Sequence, residues 1–518
     1  MTSSADRVLG GLAPARDARS IRTGERIHVV GAAGAGASAA ALLAHRAGAL
    51  VSACDAAGPS PYTVALDAEG IVVATGHDPA HVTTEPSPER LAVTRALTAV
   101  DPDHPELVAA RDRGIPLEPW QQVVADAAVG RTLVGVAGTH GKSTTAGWLV
   151  HVLAMAGADP SAFVGALLPS TLTDGPPATA RWGRGAAFVV EADEYAGNFD
   201  PYRPAVAILT SAEWDHPDVF ADQGAVIDAF ERWLRRMSPG TTLVANVADA
   251  GVASVVERLA DWPCAVVAYA LVDQAPQRLG GYARGIAERF GSGAGPARTL
   301  LGRVTTSDAA STGLEIHGLD PLAGLVPARL ATAGRHNAAN ALAVVGAAAA
   351  LGLDPARITA GLATFSGVGR RLERKGEAAG VLVFDDYGHH PTAIRETLAA
   401  VRQRAPGRRV WAAFEPLTFH RTAAMLGEFA DVLAGADGIA IADIWAGRDP
   451  DTTIASPDRL AAAISTRRPD LPVFAPGSVE ATAELLAREV RSGDVVLVMG
   501  GGRSYRIGEL LLERLGAR

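Results

Sequence analysis

The stretch Leu133–Thr145, LVGVAGTHGKSTT, decides how the rest of the chain is read. Leu133, Val134 and Val136 make an apolar, strand-like run, and glycines at 135, 138 and 141 make a turn. Lys142, Ser143, Thr144 and Thr145 then open a helix predicted to run from Ala146 to Ala156. Strand, glycine turn and helix in that order form a phosphate-binding loop. The glycines of such a loop let backbone N–H groups approach phosphate oxygens, and the helix points its positive end at the anion. Lys142 can then reach the β- and γ-phosphates, and Ser143 can ligate magnesium. The strict spacing wants glycine at 136, where Val136 stands with Gly135 one place early. A glycine-rich turn carrying a surface lysine is the alternative.

The chain around this loop has 518 residues, too many for one core and enough for three domains. Its formal net charge of −9 argues against coating nucleic acid or an anionic membrane, so a phosphate site must be local. Cys54 and Cys264 are too few for a disulfide framework. Residues 1–25 carry Asp6, Arg7, Arg16, Asp17 and Arg19 and no apolar core of a secretory signal, and the alanine-rich run Ala338–Leu351 is too short to span a membrane. A reducing, cytoplasmic setting without membrane insertion is expected.

Before the loop, residues 1–25 read as a mobile or strap-like extension. Ile27–Val30 is a short strand, followed by GAAGAGAS with Gly31, Gly34 and Gly36, an alanine-rich helix to His45, and a second strand ending at Asp55. This βαβ start has a nucleotide-binding character but lacks the G-x-G-x-x-G spacing, so phosphate binding and tight helix-on-strand packing both remain open. Beyond the loop, residues 274–312 turn glycine- and serine-rich and read as loops or a small subdomain. The run Phe365–Gly369 looks like a hinge. After it, strands and helices alternate regularly to Val495–Met499, which predicts a mostly parallel, doubly wound sheet. The expected fold is α/β with three domains in series: a Rossmann-like domain over 1–130, a P-loop ATPase-like domain over 131–366 and a second Rossmann-like, doubly wound domain over 367–518.

Chemistry-bearing residues cluster where these strands end. The strand Phe188–Val190 runs into Glu191-Ala192-Asp193-Glu194, an acidic tip suited to magnesium, or else a solvated acidic loop. The strand Val206–Leu209 leads to Glu213-Trp214-Asp215-His216, where His216 could ligate a metal, orient a phosphate, act as a base or do none of these. His336, Asn337 and Asn340 sit in the first turn of a helix, where asparagines either cap it or bond both edges of an adenine ring. At the hinge, Arg370 and Arg371 can place a guanidinium on phosphate. Asp385, Asp386, Tyr387, His389 and His390 end a strand of the third domain and so face a crevice.

In order and spacing, GVAGTHGKSTT, VVEADE, AEWDH, GRHNAANALA, GVGRRLE and DDYGHHPTAI resemble the motifs of the Mur ligases, which use ATP to build amide bonds onto the UDP-N-acetylmuramoyl precursor of peptidoglycan. The resemblance spans nearly the whole chain. His140 and the DDYGHHP stretch look most like the branch that adds L-alanine to UDP-N-acetylmuramate, or its recycling relative that attaches a murein tripeptide. The resemblance implies that Gly138, Thr139, His140, Gly141, Lys142, Ser143 and Thr144 hold ATP together with His336, Asn337, Asn340 and Arg371. It implies that Ser143 and Glu191 hold magnesium and His216 a second metal ion, and that Arg371 and Asp386 complete the site on closure. Gly31, Gly34 and Gly36 would receive the uridine diphosphate with Asp55 near the uridine, and Tyr387, His389 and Arg421 would face the amino-acid substrate. The expected assembly is a monomer or weak dimer.

By the same resemblance, the muramyl carboxylate attacks the γ-phosphate to give an acyl phosphate, which the amine then attacks; His216 or a water takes the amine proton. The chain departs from the alanine-adding pattern at Ala33, at Leu417 and Thr418 where a histidine and an arginine are usual, and at Arg503 where aspartate is common. ADIWAGRDPD and FHRT favour alanine addition, whereas AGTHGKSTTAGW, EADEYAGNF, EWDHPDVF and RRLERKGEAAGVLVFDDYGHHPTAI closely resemble the tripeptide branch, and another, divergent amine acceptor is a further alternative. A nicotinamide-dependent dehydrogenase would explain Gly31–Asp55 and leave the Lys142 loop unused. A nucleotide-gated binding protein without ligase activity would keep that loop.

Overall fold

The computed structural model describes residues 11–273, 278–319, 322–447, 449 and 451–517. Three sheets follow one another along the chain. The first has five parallel strands in the spatial order Val73–Thr75, Leu50–Asp55, Arg26–Val30, Arg90–Val93, Leu117–Pro119. The second has ten strands with Thr132–Ala137 inside it, paired in parallel with Val206–Leu209 on one side and Ala187–Glu191 on the other. The third has six, in the order Glu373–Ala378, Val381–Asp386, Val495–Gly500, Val410–Glu415, Gly438–Ala442, Val473–Gly477, with only the first antiparallel to its neighbour. Helices cover the sheets, so the α/β, doubly wound expectation holds, apart from antiparallel strands at the edges of the second and third sheets.

The second sheet sets the site. Its loop strand is buried and Val136 is wholly inside the core, so that position cannot serve the turn. The turn begins at Gly138 instead, with φ 130°, and closes at Gly141, with φ 83°. A Cβ at Gly138 would lie 2.2 Å from Thr210 Oγ1, and one at Gly141 2.6 Å from Asn340 Oδ1. Both positions therefore need glycine for conformation and for space. Gly135 is a packing glycine, facing Pro204 and Trp233. The helix Lys142–Met155 opens with Lys142 to Thr145 as its first turn, ahead of the apolar run from Ala146.

Residues 1–10 of the expected extension lie outside the described residues. Residues 11–25 form a strap docked on the first domain: Arg16 meets Glu118 at 2.8 Å and Asp126 at 2.7 Å, and Arg19 meets Glu25 at 2.6 Å. The 274–312 reading is corrected in part. Residues 274–277 lie outside the described residues, but a helix, Leu279–Arg289, and a strand, Arg298–Ser307, occupy most of the rest, and the strand joins the second sheet. That helix buries only Leu279 and Ile286, while Gly280, Gly281 and Gly285 face open space, so its apolar period is diluted.

The hinge segment is anchored on the loop helix. Phe365 stacks on Trp148 at 4.8 Å, and Val368 fills the space left by Gly147. Gly367, Arg370 and Leu372 all have positive φ, an unusual concentration in a short connection.

Candidate functional site

The register places three strand ends side by side. Val136 lies opposite Glu191 and Ala137 opposite Leu209, so the glycine turn, the acidic tip and the Thr210–His216 segment open into one crevice at the carboxyl ends of parallel strands. Ser143 Oγ donates to Glu191 Oε1 at 3.0 Å, and the other Glu191 oxygen accepts from the Gly165 amide at 2.6 Å. From beyond the hinge, Arg371 Nη2 reaches Ser143 Oγ at 2.9 Å. Three predicted site residues from separate domains and elements thus meet at one hydroxyl.

Lys142 Nζ donates to the Gly138 carbonyl at 2.6 Å and to Glu194 at 2.9 Å, with Asp193 at 3.5 Å. Burial alone would lower its pKa; the surrounding carboxylates of Glu194, Asp193 and Glu191 overcome this and keep the ammonium charged. Glu194 lies in the quoted acidic motif but carries no spacing signal of its own, and only the fold shows it to be the main partner of Lys142. The strand stops at Glu191, so Asp193 does not share its face as strand continuation would require. Asp193, Glu194 and His216 instead bring their ligand atoms within 4.8 Å of one another.

The turn is stitched to the neighbouring segment. Thr139 Oγ1 donates to the Glu213 carbonyl at 3.0 Å, the His140 amide to Ser211 Oγ at 2.8 Å, and the His140 ring lies 3.2 Å from the Glu213 carboxylate. Burial raises the Glu213 pKa, but hydrogen bonds and charge from His140, with Thr392 beside it, bring it down to about 2. A cavity of about 490 Å³ opens here, lined by His140, Gly141, Thr144, His336, Asn337 and Asn340 and closed by Arg371 and Asp386. Asn337 donates to the Ala333 carbonyl at 2.7 Å and Asn340 to Asn337 Oδ1 at 3.2 Å, so the pair is locked in the helix start while lining the cavity. His336 is 3.6 Å from Glu396.

A second cavity, of about 870 Å³, adjoins the first and also borders Gly367, Arg371 and Leu372; it extends past Arg370, Arg374 and Lys375 to Tyr62 of the first domain. The first-domain glycine loop lies on that side. Gly31, φ 87°, turns the chain under Thr94, Gly34 starts the following helix, and Asp55 accepts from the Ala33 amide at 2.9 Å. Gly36 serves packing, since a Cβ there would meet the Trp120 ring at 2.1 Å.

Third-domain residues divide by role. Asp386 is buried and accepts from the amides of Leu372 at 2.8 Å and Gly388 at 2.7 Å, which fixes the backbone beside Arg371. Tyr387 lies beneath both guanidinium groups, with Arg370 4.9 Å and Arg371 5.2 Å from its ring centre. His389 Nδ1 faces the Tyr387 carbonyl at 2.9 Å, and its other nitrogen lies 4.0 Å from Asp215. Arg421 is fully buried and bonds Asp215 at 2.7 Å and His216 at 3.2 Å, so it spans two domains. Leu417 and Thr418 serve local structure: Thr418, φ 65°, caps the helix Phe419–Ala424, and Leu417 packs toward Gly501. Arg503 points away, to Glu480 at 3.1 Å.

The donor set suits a hard divalent cation. Ser143 and Glu191 offer oxygens beside the turn, and Asp193, Glu194 and His216 form a second group. Among the described residues, no helix is long and apolar enough to cross a membrane.

Three domain models cover the chain: "Mur ligase family, catalytic domain" over residues 26–132, "Mur ligase middle domain" over 136–348 and "Mur ligase, glutamate ligase domain" over 370–502. A UDP-N-acetylmuramate–L-alanine ligase of Kineococcus radiotolerans is 38% identical over 499 residues, spanning 95% of this chain and 97% of its own. The chain belongs to the Mur ligase family. A second relative of the same name, from Mycolicibacterium vanbaalenii, is 36% identical across 95% of this chain and 97% of its own. Two solved structures share the Mur ligase fold. The UDP-N-acetylmuramate-alanine ligase of Thermotoga maritima superposes with a TM-score of 0.74 at 22% identity, over 95% of this chain and 99% of its own. A murein peptide ligase from Psychrobacter arcticus gives 0.70 at 23%, over 96% and 99%.

Proposed function

We propose that this Mur ligase joins L-alanine to UDP-N-acetylmuramate at the expense of ATP, in peptidoglycan precursor synthesis. The observation that carries the reading is the meeting of Arg371 with Ser143 where the two cavities adjoin. One cavity holds the nucleotide, with Asn337, Asn340 and His336 at its base end and the glycine turn at its phosphate end. The other leads the muramyl group from the Gly31–Asp55 side past Tyr62. The names of full-length relatives at 36–38% identity favour L-alanine as the amine.

The chain's own residues account for the positioning. The turn amides and the start of the Lys142 helix orient the γ-phosphate, and Lys142 and Arg371 offset the charge that develops as the muramyl carboxylate attacks it. The products of that step are an acyl phosphate and ADP. The neutral amine then attacks the acyl carbon and inorganic phosphate leaves. Magnesium, which Ser143, Glu191 and His216 would hold, supplies further positive charge to the phosphates. The three domains are assigned to the UDP-substrate (1–130), ATP (131–366) and the amino acid (367–518), acting as a monomer or weak dimer on small molecules.

The test is phosphate release with ATP and UDP-N-acetylmuramate, comparing L-alanine, L-serine, glycine and the murein tripeptide, with mass spectrometry of the product. L-alanine is expected to give the highest turnover. Turnover with tripeptide alone would move the protein to cell-wall recycling, and silence with all four would leave a nucleotide-binding protein without this ligase activity.

A further inference from the structure

The first domain contains a second concentration of chemistry, apart from the ATP crevice. Four of the chain's thirteen histidines (His28, His77, His81 and His104) and one of its two cysteines, Cys54, gather around Glu106. His28 comes from the central strand of the five-stranded sheet and Cys54 from the strand beside it. His77 follows the short edge strand, His81 lies on the helix Ala80–Thr83, and Glu106 is in the first turn of the helix Pro105–Asp112. His28, Cys54 and Glu106 are essentially inaccessible to solvent.

The donor atoms converge at distances close to those of a ligand shell around Cys54, and somewhat shorter around Glu106, so they would open slightly about an ion. Cys54 Sγ lies 3.3 Å from His28 Nε2, 3.2 Å from His77 Nδ1 and 3.3 Å from Glu106 Oε2. Glu106 Oε1 is 3.1 Å from His28 Nε2 and 2.8 Å from His81 Nδ1. Ligand atoms of His28, Cys54, His81 and Glu106 all lie within 4.8 Å of one another. Tetrahedral zinc with its usual bond lengths places neighbouring donors roughly 3.3–3.6 Å apart. The remaining nitrogen of His28 faces Ser52 Oγ at 2.8 Å, the kind of outer contact that orients a metal-bound imidazole.

Charge makes the same case. Glu106 is a buried carboxylate whose partners are imidazoles and a thiol, with no arginine or lysine among them. One divalent ion with one thiolate and one carboxylate would be neutral, as its apolar neighbours Val30, Val82, Leu91 and Leu107 require.

We propose that His28, Cys54, His81 and Glu106, with His77 as an additional donor, form a zinc-class transition-metal site in the first domain. Thiolate and imidazole ligands select such an ion over magnesium. The site lies directly under the glycine loop, since the Cys54 carbonyl accepts the amides of Gly31 at 2.9 Å and Ala32 at 3.1 Å. The ion would pin that loop and both helices to the sheet.

The test is titration of the chelator-stripped full chain with Co²⁺, read by absorption, alongside the zinc content of protein purified without chelator. One equivalent of cobalt is expected to produce a thiolate-to-cobalt charge-transfer band. The band should vanish in Cys54→Ser, persist in Cys264→Ser, and need at least tenfold more cobalt in His81→Ala. Because Cys54 and Cys264 are the only thiols, cobalt bound in the ATP crevice cannot produce it. Absence of the band in folded wild-type protein under excess cobalt would overturn the proposal, and so would its survival in Cys54→Ser. The wild-type spectrum decides the matter even if a variant fails to fold.

Discussion

The ammonium of Lys142 is enclosed by Glu194, Asp193 and the Gly138 carbonyl, so its removal touches both chemistry and charge balance. Lys142→Ala is expected to lower phosphate release by at least about 10²–10³-fold, the scale for losing one preorganised electrostatic contact. The fold should survive near neutral pH, because Glu194 can take up a proton rather than remain a buried anion. Burial already pushes Glu194 up to about 7 with Lys142 present. A raised carboxyl pKa binds its proton more tightly in the folded state, so stability falls as pH rises through that value. Melting curves of the variant should therefore fall further below wild type between pH 6 and 9. Unchanged phosphate release would refute the role given to the loop.

Among the elements, the strap of residues 11–25 shows how an extension without regular secondary structure is held. Arg90, almost fully buried, bonds Glu118 at 2.7 Å and Asp126 at 2.5 Å through Nη1 and forms an ion pair with Glu25 at 3.0 Å, and Arg16 and Arg19 close the network from the strap side. Burial raises the Glu25 pKa, but the bonds from Arg19 and Arg22 and the charge of Arg90 bring it down to about 2. A depressed carboxyl pKa contributes stability that is present above the unfolded value, near 4.5, and lost as pH falls toward 2. Glu25→Gln should therefore melt below wild type at pH 7, and the gap should narrow as pH drops from 5 to 3. A gap independent of pH would mean that packing, not charge, holds the strap.

At the scale of the molecule, the third domain meets the second at the hinge, at the Glu213–His216 segment, and along the helix Pro391–Arg404, whose Gln403 and Arg404 bond residues 308–312, Ala331 and Gly334. Arg371 reaches Ser143, Arg421 reaches Asp215 and His216, and Thr392 donates to Glu213 at 2.8 Å. Arg421→Ala would leave Asp215 buried and unpaired, a loss of roughly 3–5 kcal/mol for a broken buried pair. Asp215→Asn in the same chain should restore part of it, as a double-mutant cycle by chemical denaturation would show. These contacts describe a closed arrangement. Small-angle scattering should show compaction toward it when ATP and UDP-N-acetylmuramate bind together, and less in Arg421→Ala. No compaction in wild type would count against the 365–369 hinge.

Local chemistry made much of this legible from the residues alone. Apolar runs ending in glycine, acid or histidine announced the parallel strands and the crevice at their carboxyl ends, because period and turn chemistry are properties of neighbouring residues. The Leu279–Arg289 helix and the strand after it are not legible in the sequence, because glycines on the open face of the helix dilute its apolar period. Six ordered motifs were enough to identify the family. Contacts between distant segments were decided only by the fold: the Glu194 partnership of Lys142, the burial of Arg421 against Asp215, the packing of Gly36 on Trp120, and the gathering of His28, Cys54, His81 and Glu106. The physical reason is that burial and charge pairing depend on which strands lie side by side and on how one domain docks on the next, which joins residues more than two hundred positions apart that no spacing along the chain connects.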